Sequence, residues 1–224
     1  MMWGDTDWHC HILPGVDDGP KSYHESLAMA RAAAQLGFTK IVATPHFEEG
    51  VCENYREIIL TEVDFLNDAI RNARIPVTVY PGSEIMLSPT IPDLLKKGRL
   101  MTVMDKGTHV LIELPLTQCP LWADHVLAEI RALGLVPVLA HPERYSWLHD
   151  EMGLIILLKE YGLKLQGNII SLYGKYGNSV KKTVQHIHNC GYIDCWGSDA
   201  HSQKGYYILQ ENIWKSNSHQ ATSV

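Results

Sequence analysis

DWHCHILPGVDDGPKSYHESLAMARAAAQLGFTKIVATPH, residues 7–46, decides the reading of the fold. Ser22 and Glu25 make the SxxE pattern of a capping box, in which a hydroxyl and a carboxylate satisfy the free N–H groups at a helix start. The helix SLAMARAAAQL follows, with Leu27, Ala30, Ala34 and Leu36 near helical spacing, and Gly37 closes it. KIVATPH comes next, an apolar strand that Pro45 helps to end, and the strand WGDTDWH precedes the helix. A strand, a capped helix and a second strand in this order form a βα unit built for parallel pairing.

The same alternation runs to the end of the chain. A helix is expected from about Glu53 to Arg71, then the strand PVTVYPGSE and a short segment, IPDLLKKG. HVLIEL, the helix LWADHVLAEIRALG and the strand LVPVLAHPE follow. Last come a helix around DEMGLIILLKEYG, the strand LKLQGN, a helix around SVKKTVQHIHNCG, and the strand YIDCWGSD. Seven strands alternate with helices, with no internal repeat or linker, so the expectation is an α/β fold in a single domain over residues 1–224.

A formal charge of −6 without any run of Lys and Arg argues against nucleic-acid binding, which needs clustered cations for phosphate. The five cysteines contain no CxxC pair and leave one over, as suits a reduced cytosolic protein. The opening MMWGDTDW does not show a basic n-region followed by an apolar h-region, and no apolar run approaches the roughly 18 residues of a membrane span. The expected location is the cytoplasm, without membrane insertion. The compositional oddity is 12 histidines.

In parallel α/β folds, sites form where strands end, and here the strand ends carry ligand-type residues with unusual uniformity. Strand one ends in His9 and His11, strand two in His46, strand three in Glu84 and strand four in Glu113. Strand five ends in His141, and strand seven in Asp199 and His201. His9 and His11 are two apart, so an extended strand points both imidazoles to one face and Cys10 to the other. Surface histidines beside a turn would give the same HxH. His186 and His188 share that spacing in a helical stretch, where they diverge and read as solvated.

Asp17 and Asp18 lie in a glycine-flanked loop and serve either turn chemistry or metal ligation. Imidazole mixed with carboxylate suits Mn, Fe, Co or Zn. Five such histidines with several acids imply more than one ion, with Glu84 the natural bridge. His46 and His141 each also fit a satisfied core histidine. Arg144 offers a planar fork for phosphate or carboxylate, or a surface ion pair with Glu143.

Taken together, HxH, VDDG, TPH, GSE, AHPERY and SDAH resemble the motif set of the PHP (polymerase and histidinol phosphatase) superfamily. DWHCHILPGVDDGP, ATPH and LAHPERY resemble in particular its capsule and exopolysaccharide tyrosine-protein phosphatases of the CpsB/YwqE type. The likeness covers about Asp7 to His201. It implies a distorted seven-stranded (β/α)7 barrel, TIM-barrel-like, with two or three divalent ions, Mn²⁺ first and Fe, Co, Zn or Mg as alternatives. The implied metal ligands are His9, His11, Asp18, His46, Glu84, Glu113, His141, Asp199 and His201. Arg144 matches the phosphate-binding arginine, and Asp199 and His201 join it in catalysis.

The implied activity is hydrolysis of phosphotyrosine by a metal-activated hydroxide. The implied partner is a phosphotyrosine-bearing protein, a cognate bacterial tyrosine kinase that controls polysaccharide export, with homo-oligomers left open. Two departures stand out. Tyr206 occupies a position where the family carries a second phosphate-binding arginine, and the segment after SDAH is short.

Two ions roughly 3.5–4 Å apart can acidify water and clamp phosphoryl oxygens, and a tyrosine leaving group with a pKa near 10 needs little protonation. A cysteine mechanism would need a thiolate and arginine in a CxxxxxR loop; none occurs, and Cys52 is followed by an arginine only four positions on. The competing readings are a small-molecule phosphatase, such as one for histidinol phosphate, and a catalytically weak metal-binding module.

Overall fold

Ser22 accepts the Glu25 N–H at 3.3 Å, as the predicted capping box requires, while the Glu25 carboxylate reaches one residue past the N-cap to accept the N–H of Lys21 at 2.7 Å. They start α1 (Tyr23–Gln35), and Gly37, at φ 86°, takes the left-handed turn that leads out. The computed structural model describes residues 3–149 and 151–221. Before α1 lies β1 (Thr6–Cys10), and after it β2 (Lys40–Ala43), β3 (His46–Glu48), β4 (Cys52–Glu53), α2 (Arg56–Asn72), β5 (Thr78–Pro81), β6 (Glu84–Met86) and α3 (Ile91–Lys96). The remainder is β7 (His109–Glu113), α4 (Ala123–Ala132), β8 (Val136–Ala140), α5 (Met152–Glu160), β9 (Lys164–Asn168), α6 (Asn178–Asn189), β10 (Cys195–Gly197) and α7 (Gln203–Ala221).

All seven expected strands are present, but two of them are broken. KIVATPH divides at Thr44–Pro45 into β2 and β3, and PVTVYPGSE divides at Gly82–Ser83 into β5 and β6. Pro45 and Pro81 have no N–H for a ladder. A side chain on Gly82 would stand 2.8 Å from Val42 Cγ1 and 3.0 Å from the Ala43 carbonyl, so only glycine lets the two chains cross there. The outcome is two sheets, a parallel β1-β2-β5 and a seven-stranded β10-β9-β8-β7-β6-β3-β4 in which only β3–β4 is antiparallel. The α/β class and the parallel pairing are as expected, while among the described residues the two sheets do not close into the distorted seven-stranded barrel that the resemblance implies. β1 meets the segment just after β10 through one bridge, Cys10–Ala200, with His11 N–H to Ala200 O at 3.0 Å and Asp199 N–H to His9 O at 2.8 Å.

Two apolar cores back the sheets. One packs α1, α2 and α7 on β1, β2 and β5 through Met29, Ala33, Phe38, Ile41, Ile59, Leu66 and Leu209. The other sets Leu95, Ile130 and Ile155 of the following helices against Ile85, Val110, Ile112, Leu139 and Leu165. Each helix thus covers the sheet's outer face and leaves the strand ends open. No helix among the described residues is long and apolar enough to cross a membrane.

Candidate metal centre

β1 delivers the first two ligand-type side chains as its two-residue period requires. His9 and His11 are both fully buried with their Nε2 atoms 3.2 Å apart, while Cys10 faces the apolar core beneath. His46 and Glu84 pair in register where β3 meets β6, Glu113 ends β7, and His141 follows β8. Asp199 and His201 come just after β10. His141 and Asp199 sit at φ 33° and 53°, sparsely populated for residues with a Cβ, and such strain gathers at functional sites. Here it is held by the Asp199 N–H bond to β1 and by the His141 N–H bond to Gln166 Oε1 at 3.3 Å.

Glu84 lies at the middle. Its Oε2 is 3.1 Å from His9 Nε2, 3.3 Å from His11 Nε2 and 3.2 Å from His46 Nδ1, and its Oε1 is 2.9 Å from His141 Nε2. Asp199 Oδ1 stands 3.5 Å from both His9 and His11. Asp18 reaches His201 Nε2 at 3.3 Å and His46 Nε2 at 3.6 Å, and Glu113 Oε1 is 3.5 Å from His141. Three groups have ligand atoms close enough to share an ion: His9, His11 and Glu84; His46, Glu84 and Glu113; and His11, Asp18, His46 and His201. Glu84 is in two of them. Mixed imidazole and carboxylate donors, mostly withdrawn from water, fit first-row divalent ions.

Among the protein groups alone, charge is heavily redistributed. Burial works against a charged His9, but Glu84 and Asp199 outweigh it and carry the imidazole up to about 9. Burial, reinforced by the neighbouring Glu84, lifts Glu113 to about 7. Burial and the charge on His11 depress both His46 and His201. Buried charges this dense need counter-ions or shared protons, and cations supply the former.

Several residues that orient this cluster carry no ligand signal in the sequence. Gln166 Oε1 is 2.7 Å from His9 Nδ1, so that nitrogen donates and Nε2 is left to face the centre. Gln166 in turn donates to Asn168 Oδ1 at 3.0 Å, and Asn168 donates to Asp199 Oδ2 at 2.7 Å. Asp17 does for His11 what Gln166 does for His9, at 2.8 Å. Burial opposes its charge, but the His11 hydrogen bond prevails and holds the carboxyl at about 2. Replacing Gln166 by Leu should therefore reduce metal affinity or turnover by about 10–100-fold with the fold retained. Isothermal titration with Mn²⁺ reads this directly, and unchanged affinity and turnover would deny Gln166 an orienting role.

Arg144 donates to Asp199 Oδ2 at 2.9 Å and lies 4.8 Å above the Tyr176 ring, beside the centre. It makes no pair with Glu143, whose buried carboxylate instead accepts from Asn168 N–H and Ser171 Oγ. Tyr206 is fully buried and donates to Asp7 Oδ2 at 2.8 Å, so that position serves the β1–β10 seam and not the mouth. His186 is exposed, as the solvated-helix reading expects, whereas His188 is half-buried and packs edge-on against Trp196. Cys10 is sealed in, and burial pushes its thiol well above the ordinary value. That leaves it no thiolate for catalysis.

An α/β fold with buried imidazoles and carboxylates gathered at its strand ends defines a candidate divalent-metal site. Residues 5–206 match the family described as capsular polysaccharide synthesis, CpsB/CapC, and the chain belongs to that family. It is 35% identical over 215 residues to tyrosine-protein phosphatase YwqE of Bacillus subtilis, covering 92% of this chain and 84% of that one. It is 30% identical to the putative tyrosine-protein phosphatase CapC of Staphylococcus aureus, over 88% of this chain and 77% of the relative. A solved structure from work on YwqE and on CpsB of Streptococcus pneumoniae, described as unique metal-dependent tyrosine phosphatases, superposes with a TM-score of 0.83. The two are 33% identical over 92% of this chain and 86% of that one. A putative histidinol phosphatase of Listeria monocytogenes shares the fold at 9% identity and a TM-score of 0.53.

Proposed function

We propose that the chain is a metal-dependent protein-tyrosine phosphatase working as one domain over residues 1–224. Its ions are held by His9, His11, Asp18, His46, Glu84, Glu113, His141, Asp199 and His201. The observation that carries this is Glu84, buried with one oxygen against three imidazoles and the other against a fourth. Divalent ions bound there, Mn²⁺ by preference, supply Lewis-acid polarisation of the phosphoryl group and acidify water. We take the two sheets as a distorted seven-stranded barrel whose seam is the β1–β10 contact, which brings all nine ligands to one mouth.

The chain's own groups do the rest. Arg144 releases Asp199 and turns its guanidinium to the phosphoryl oxygens, where its fork can bind two at once. Asp199, held by Asn168 and by the backbone bond to His9, keeps the reacting face in register. His201, on the half-exposed rim, holds an ion with Asp18 and His46, and solvent at that open side can protonate the leaving oxygen, which a phenol needs only weakly. The substrate in this reading is a phosphotyrosine protein of a capsule or exopolysaccharide system, a cognate cytoplasmic tyrosine kinase.

The test is turnover by chelated and Mn²⁺-reloaded protein on a phosphotyrosyl peptide and on histidinol phosphate. Metal-dependent cleavage of the peptide with little of the alcohol phosphate is expected. Cleavage of histidinol phosphate alone would move the assignment to small-molecule phosphatases, and stoichiometric metal without turnover would leave a binding module.

A further inference from the structure

A pocket of about 460 Å³ opens directly off the centre, sharing Asp18, Asp199 and His201 with it. It runs between the segment that carries Tyr176 and the start of α7, and it is larger than an aryl ring requires. Ile170, Ile208 and Leu209 provide apolar lining. Tyr176 forms a wall that is already anchored: its ring supports the Arg144 guanidinium on one side, and burial, then Asp199, push its phenol up to about 12. The wall is therefore neutral at ordinary pH and presents ring surface.

The rim has the opposite sign from the chain as a whole. Lys175 and Lys204 are both exposed at this pocket, in a protein of formal charge −6. Among the described residues neither is paired with a carboxylate; the Lys175 ammonium rests 5.2 Å from the Tyr176 ring centre. Both lie outside the ion-holding groups. Two ammonium groups on the rim of an apolar cleft, on either side of the route to the centre, suit an anionic ligand that extends beyond the phosphate itself.

We infer that this pocket seats the tyrosine ring of the substrate and that Lys175 and Lys204 select peptides with acidic residues flanking the phosphotyrosine. The phosphate reaches the centre and Arg144, the ring lies along Ile170, Ile208 and Tyr176, and side-chain carboxylates meet the two lysines. This rests on the phosphatase reading and adds to it the sequence context of the substrate. Tyr176 is on this account a positioning residue for Arg144 as well as a wall.

The experiment compares two phosphotyrosyl peptides, identical except for Glu or Gln at the two positions on each side of the phosphotyrosine, with Mn²⁺-loaded protein. Exposed ion pairs are individually weak and screened by salt. A preference of about fivefold in kcat/KM for the Glu peptide is expected at low salt, carried by KM and fading near 0.5 M salt. The double variant Lys175→Gln, Lys204→Gln should bring the ratio of the two peptides to about one, and Lys204→Glu should turn it toward the Gln peptide. Both positions are exposed, so the fold should tolerate these changes. Equal kcat/KM for the two peptides with the unaltered protein overturns the inference and leaves the phosphatase reading standing. Absence of metal-dependent turnover on either peptide or on a small aryl phosphate overturns that reading and takes the inference with it.

Discussion

Glu84→Gln is expected to lower metal-dependent phosphatase turnover by about three orders of magnitude, or about 4 kcal/mol of barrier. Glutamine preserves the shape and volume of the side chain, so the packing around it is undisturbed. What changes is the charge at the point where His9, His11, His46 and His141 converge within 2.9–3.3 Å. One oxygen becomes an NH₂, which offers an ion no lone pair and instead donates to imidazole nitrogens whose lone pairs an ion would use. Two of the three candidate ion-holding groups lose the Glu84 charge together, and in one of them, with His9 and His11, no other carboxylate remains. Elemental analysis of the purified variant should show reduced metal content, and circular dichroism should show an unchanged fold. Full metal content with more than a tenth of normal turnover would show that the Glu84 charge is not needed to hold the ions.

The motifs of this centre were legible because they come from residue types that physics seldom leaves at the end of an apolar strand. HxH reads correctly once the segment is a strand, since the two-residue period then decides where both rings go. The neighbouring aspartates show where such reading stops. Asp17 and Asp18 have the same chemistry in the same loop, and only the fold turns Asp17 to His11 Nδ1 and Asp18 to His46 and His201. Gln166 has no ligand signature in LKLQGN, and only the pairing of β9 with β10, which itself runs close to β1, sets its amide 2.7 Å from His9.

The breaks at Thr44–Pro45 and Gly82–Ser83 were signalled by proline and glycine, yet their consequence, two sheets in place of one, depends on how neighbouring strands bend together. α7 lacks a sharp apolar periodicity, and what seats it is the burial of Tyr206 and Leu209. In the sequence Tyr206 stands out only as a tyrosine where the family carries an arginine. Its role is to close the seam by hydrogen-bonding Asp7, which also accepts the Ser198 N–H at 2.8 Å.

That seam yields the largest expected effect on stability. A Cβ on Gly197 would stand 2.4 Å from His9 Cβ, 2.8 Å from the His9 backbone nitrogen and 2.9 Å from Gln166 Nε2. Two of these atoms belong to or adjoin the β1 backbone, so no rotamer change relieves the clash. Gly197→Ala must push β10 away from β1 or β9, stretching the Asp199–His9 backbone bond and the Gln166–His9 contact together. Overpacking that only strands can relieve should cost about 3 kcal/mol or more. The same movement carries Asp199 off the centre, so Mn²⁺ should stabilise the variant less than it stabilises the parent. Gly153→Ala is the control, because a Cβ there meets nothing within 4 Å in α5, and helix propensity predicts a gain of about 0.5 kcal/mol. Denaturant unfolding with and without Mn²⁺ measures both terms. If Gly197→Ala unfolds within about 0.5 kcal/mol of the parent, the close approach of β10 to β1 does not hold the centre together.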